Sequence, residues 1–144
     1  VIIATNLAPP GFNPAFTTGQ AAWFCARMIE GMARGCVPAL RSWNLPPLYK
    51  SRVRYQPEPT YGQGFEEFAL PFHTIGRKHG DCDDLVIARL AELYASGENA
   101  SARCEWVGDR MHVLVRRSSQ PFVWMPQESG AEEDPSIICG AMRK

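Results

Sequence analysis

Gly80-Asp81-Cys82-Asp83-Asp84-Leu85 opens the most strongly patterned segment of the chain. Cys82 begins a stripe continued by Val86, Leu90 and Leu93 at three-to-four spacing, with Arg89 and Glu92 outside it, and this predicts a helix over about 81–96. Asp81 is a good N-cap residue, Asp83 and Asp84 suit the positive end of the helix dipole, and Gly97 is a stop signal. Cys82 therefore heads the buried face at a helix N-terminus, where unpaired backbone N–H groups favour a thiolate. Its three acidic neighbours oppose that charge. For the thiol to be activated they must cap the helix, turn away, or pair with Arg77 or Lys78; Asp84 is read as a structural cap.

Downstream, 102–107, 111–117 and 121–125 read as strands, and Gly108-Asp109-Arg110 joins the first two as a hairpin. Along the second, Met111, Val113 and Val115 share one face while His112, Leu114 and Arg116 share the other. Upstream, Thr17-Thr18-Gly19-Gln20 matches a capping box. Ala21, Phe24, Cys25, Met28 and Met32 then predict a helix from about 18 to 34, closed by Gly35. Residues 36–64 read as irregular, with a short strand at 51–55, and 65–75 takes no firm assignment. Pro9, Pro10 and Pro14 make residues 1–16 an extended arm, leaving 17–144 as a single domain. Helices first and strands later is an α+β pattern.

The 144 residues suffice for one core, and 45% apolar with 21% charged residues is ordinary for a globular domain. Fifteen basic and fifteen acidic residues cancel, so neither nucleic acid nor an anionic membrane is an expected partner. The clusters Lys50/Arg52/Arg54 and Glu128/Glu132/Glu133/Asp134 read as solvated surface. No apolar run approaches the ~20 residues of a membrane span. Val1-Ile2-Ile3-Ala4 is too short for a signal peptide and lacks a basic flank, although the chain does not begin with Met. Five cysteines without paired spacing argue for reduced thiols in a cytosolic setting, four of them small buried hydrophobes.

A thiol at a helix start, an imidazole on a strand and a later carboxylate form, in that order, a nucleophile, a base and an orienting group. These are Cys82, His112 and Asp134. The acidic segment 126–133 leaves alternatives open: Glu132 or Glu133 takes the place beside His112, or Asp134 only closes its Asp-Pro-Ser turn. The Cys82 backbone N–H is one oxyanion donor, and Tyr55, Gln56 and Gln63 are candidates for a second. A zinc set of His79, Asp81, Cys82 and His112 lacks the two ligand pairs of structural zinc, so no metal or cofactor is expected. His73 and His79 read as ordinary loop histidines.

Gly80-Asp81-Cys82-Asp83-Asp84-Leu85, Met111-His112-Val113 and Asp134-Pro135-Ser136 together resemble the core of the transglutaminase-like, papain-like cysteine hydrolases. Tyr49 to Glu58 and the closing Asp-Pro-Ser-x-x-x-Gly are similar to small members encoded by tailed bacteriophages. The resemblance covers roughly residues 48–142. It implies a nucleophile helix packed on a sheet, with Cys82, His112 and Asp134 as the triad of a thiol peptidase, amidase or acyl transferase. It also implies a protein, peptide or peptidoglycan substrate and a setting in host cytoplasm or virion. The competing class is a virion structural or assembly protein on the same fold, contacting other phage proteins, with or without catalysis.

Overall fold

The computed structural model describes residues 2–3, 18–57, 66–108, 110–118 and 130–140. In chain order these form β1 (Ile2–Ile3), α1 (Thr18–Gly35), α2 (Val37–Ser42), a 3-10 turn at Leu48–Lys50, β2 (Arg54–Tyr55) and β3 (Glu66–Glu67). There follow α3 (Pro71–Arg77), β4 (His79–Gly80), α4 (Cys82–Ala95), β5 (Ala100–Val107), β6 (Arg110–Ser118), β7 (Gly130–Glu133) and α5 (Pro135–Cys139). The fold is mixed α+β.

The centre of the molecule is α4. Leu85, Val86, Ile87, Ala88, Leu90, Ala91 and Leu93 are all buried, so the helix is enclosed on nearly every side rather than amphipathic as expected. It lies between two apolar clusters. One joins Ile29 and Ala33 of α1, Phe68, and Val113 and Val115 of β6 to Val86, Leu90 and Leu93. The other sets Leu48, Val53, Ile75 and Cys139 against Leu85 and Ala88. A helix buried all round must be apolar all round, and this one is, except at its acidic start and at Arg89 and Glu92.

The sheet is antiparallel with order β5-β6-β7. Its register pairs Cys104 with Val113 and Glu105 with His112, then Val115 with Glu133 and Arg116 with Glu132. The expected alternation holds: Val113 and Val115 face the core with Met111 partly buried beside them, which puts His112 on the other face. Two short pairs complete the sheets. β1 runs antiparallel to β3, while β2 runs parallel to β4 with Tyr55 opposite Gly80.

The two main helices and the hairpin strands lie where periodicity predicts them. Several expectations are corrected. Two helices and a 3-10 turn occupy 36–50 and 71–77, because Pro38 and Pro71 sit in the first turn of a helix, where a missing N–H costs nothing. The strand paired with β6 is 130–133, drawn from the acidic segment; the expected strand 121–125 lies outside the described residues. Within the expected arm, Ile2 and Ile3 pair with β3, and residues 4–17, the first capping-box residue included, lie outside the described residues. Cys25, Cys36 and Cys139 are buried, but Cys104 is only half-buried; all five thiols are free. Among the described residues no helix is long and apolar enough to cross a membrane.

Candidate active site

The helix start follows from close packing. A Cβ on Gly80 would lie 2.9 Å from the Asp84 Cβ and 3.1 Å from the Thr74 methyl, so only glycine lets β4 pass this close to α4. Asp81 then caps the helix: its carboxylate accepts from the Asp84 N–H at 3.2 Å, and the Asp84 carboxylate accepts from the Asp81 N–H at 3.3 Å. This reciprocal box makes Cys82 the first helical residue.

Asp84 accepts from the Ala69 N–H at 2.7 Å and from the Arg77 guanidinium at 2.6 Å. Burial pushes the Asp81 carboxyl well above the usual carboxylate range, helped by the charge of Asp83 and a hydrogen bond between the two side chains. Among the described residues the ligand-type atoms of Asp81, Asp83 and Asp84 gather within 4.8 Å of one another; the zinc set of His79, Asp81, Cys82 and His112 does not gather. The caps and the Arg77 pair account for Asp81 and Asp84.

Cys82 is partly exposed, and its sulfur donates to the Met111 carbonyl at 3.8 Å. β7 pairs with β6 only over Val115 to Ser118, so Arg110 to Leu114 have no β7 partner, and the thiol meets one of their carbonyls. The next residue is His112. Its Nε2 lies 2.8 Å from Asp134 Oδ2. The other Asp134 oxygen accepts from the Ser136 N–H at 3.0 Å and caps α5. Asp134 therefore does more than close its turn: one oxygen closes it while the other meets the imidazole.

Glu132 and Glu133 do not take that place, nor are they solvated surface alone. Glu132 pairs with Arg103 and Arg116 on the His112 face of the sheet. Glu133 points toward α4 and is bound by Arg89, Tyr49 and Arg117. Those donors hold its carboxyl at about 2, although burial pushes the other way. Arg54, grouped in sequence with the basic surface cluster, donates to the Cys139 carbonyl at 3.1 Å.

Of the candidate second donors, Tyr55 is half-buried, and the electrostatics of its phenol are set by Cys82, Asp81, Arg110 and Asp134. Burial, then the nearness of Cys82 and Asp81, raises its pKa, so it is a neutral donor at ordinary pH. The Gln56 side chain is exposed, and its backbone N–H donates to the Gly80 carbonyl at 2.8 Å. Gln63 lies outside the described residues. His73 is exposed and His79 partly buried.

Sequence reasoning missed the cluster of Tyr49, Arg89, Arg117 and Glu133. One signal was available: Arg89 follows Cys82 by seven residues, which at 3.6 residues per turn returns it to within about 20° of the same helix face.

No protein-family model, curated protein or solved structure matches the chain.

Proposed function

We propose that the chain is a thiol-dependent amide hydrolase or acyl transferase on a transglutaminase/papain-like core, with α4 as the nucleophile helix and β5-β6-β7 as the sheet behind it. The observation that carries this reading is the 2.8 Å contact of His112 Nε2 with Asp134, with the Cys82 sulfur bound to the carbonyl of the preceding residue. A carboxylate on Nε2 fixes the tautomer: the proton sits there, and Nδ1 presents the lone pair.

In the proposed reaction, the Cys82 sulfur gives its proton to His112 Nδ1, on the part of β6 that lies beyond the β7 pairing. The sulfur then forms a bond to the substrate carbonyl carbon. The tetrahedral oxyanion is met by the Cys82 N–H and by Tyr55, a neutral phenol on the strand paired with β4. The C–N bond breaks as the imidazolium returns its proton to the leaving amine. Water resolves the thioester in a peptidase or amidase, and a second amine does so in a cross-linker.

Reaction with iodoacetamide near neutral pH, mapped by mass spectrometry, tests this. Burial pushes the Cys36 and Cys139 thiols up, so these should react slowly while Cys82 reacts fast. His112→Ala should bring Cys82 to the rate of an ordinary exposed thiol. Slow labelling at Cys82 in the unaltered protein would remove the enzymatic reading and favour a structural or assembly role.

A further inference from the structure

We propose that Glu133, clamped by Arg89, Tyr49 and Arg117, is a positioning residue that holds Asp134 against His112, and that Arg89 exerts this hold from the helix that carries Cys82. The inference rests on the triad reading above and adds to it the device that keeps the triad in register.

Adjacent strand residues face opposite ways, so Glu133 points to α4 while Asp134 points to His112. Asp134 is the first residue beyond β7, at the edge of the sheet, between the four paired residues of that strand and α5, whose Pro135 and Cys139 are buried. Glu133 is the last residue of that strand, and its carboxylate is filled. Arg89 donates to both oxygens, at 2.9 and 3.2 Å, Tyr49 to one at 2.7 Å and Arg117 to the other at 2.9 Å. Arg89 is itself fixed, through a 3.1 Å bond to Glu92 and by stacking 4.7 Å over the Tyr49 ring. It lies two turns, about 10 Å, along the helix from Cys82 on nearly the same face. One rigid helix thus presents the nucleophile to one end of the sheet and an anchor for the carboxylate to the other. Catalytic groups of this kind tolerate misplacement of only about 0.5 Å.

The test is the iodoacetamide rate at Cys82 as a function of pH, for the parent, Glu133→Gln, Asp134→Asn and the double variant, well below each melting temperature. The amide keeps the size of the carboxylate but turns an N–H pair toward donors. Glu133→Gln should slow Cys82 at pH 7 by about tenfold, the factor of one pKa unit, and move the inflection toward the ~8.5 of a free thiol. In the Asp134→Asn background it should change nothing further, because it acts only through Asp134. Arg89→Lys keeps the charge but not the two-pronged donation, so it should give an intermediate rate; it serves the same comparison if Glu133→Gln does not fold. A parent-like rate and inflection in Glu133→Gln, or an equal slowing in both backgrounds, overturns the inference and leaves the triad standing. A slow, His112-independent thiol in the parent overturns the triad and the inference together.

Discussion

Glu133 also makes a quantitative prediction about stability, independent of catalysis. Its carboxyl lies at about 2 against an ordinary 4.5, so folding favours the charged form. That gap corresponds to on the order of 3 kcal/mol at neutral pH. The side chain is 15% exposed, and screening by the adjoining water reduces the figure to roughly 2 kcal/mol. The sign follows from the lowered pKa: the stabilisation is fully present above about pH 4.5 and is lost as pH falls through about 2. Burial raises Asp81, Asp84 and Glu92 in the opposite sense, but these groups are common to parent and variant and cancel in the difference. Urea unfolding of parent and Glu133→Gln, followed by far-UV circular dichroism at several pH values from 7 to 3, should show a gap of about 2 kcal/mol at pH 7. At least about half of it should have gone by pH 3. A gap constant across that range would mean that the Glu133 charge is not held by Arg89, Tyr49 and Arg117, and would refute the argument.

Three further substitutions probe the framework. Gly80→Ala forces a methyl against Asp84, itself fixed by Ala69 and Arg77, and should lower unfolding stability by about 1–3 kcal/mol; an unchanged urea midpoint would contradict the close approach. Arg77→Met leaves the Asp84 carboxylate, only 3% exposed, without its counter-charge, and should cost about 2–4 kcal/mol while slowing iodoacetamide at Cys82 in the molecules that stay folded. Glu30→Ala removes the acceptor of the Ala102 N–H, a 2.8 Å bond that covers the outer edge of β5. Hydrogen exchange at Ala102 should change from protected to fast, with a loss of about 1–3 kcal/mol.

The sequence discloses those parts of the fold where apolar periodicity is set by a single buried face. β5 and β6 have that property and α4 adds clear end signals, whereas α1 is legible as a helix but buries Ile29 and Ala33 and leaves Phe24, expected on the apolar stripe, exposed. β7 lacks that property: Gly130-Ala131-Glu132-Glu133 carries no apolar alternation, and its strand pairing is supported by cross-strand arginines that no local pattern announces. Pro71 obscured α3 because proline stops a helix in its interior but suits its first turn. At the candidate site, the place of Cys82 at a helix start is legible from local context, whereas the His112–Asp134 contact needs β6 and α5 to be placed together. Arg89 reads as the polar exception on an apolar helix, because a lone sequence gives a half-buried arginine no partner until β7 is placed beside it.

The acidic setting of Cys82 is the strongest physical objection to a nucleophilic thiol, and the packing answers part of it. Three ionised carboxylates beside the sulfur would impose a charge of −3. The Arg77 guanidinium offsets Asp84, and burial raises the Asp81 carboxyl, which disfavours its charged form. Against the remaining charge stand the positive end of α4, roughly half an elementary charge, and an imidazole that becomes positive as it takes the thiol proton. The same residues thus do two things: they form a reciprocal cap that fixes the first turn of the helix, and pairing and burial reduce the negative charge beside the sulfur. A cap built from Ser and Gln would fix the turn equally well without negative charge. Gly80 lets β4 and Arg77 approach closely enough for pairing and burial to offset the acids, so the proposed reactivity of the thiol would depend on the tightest packing contact at the helix start.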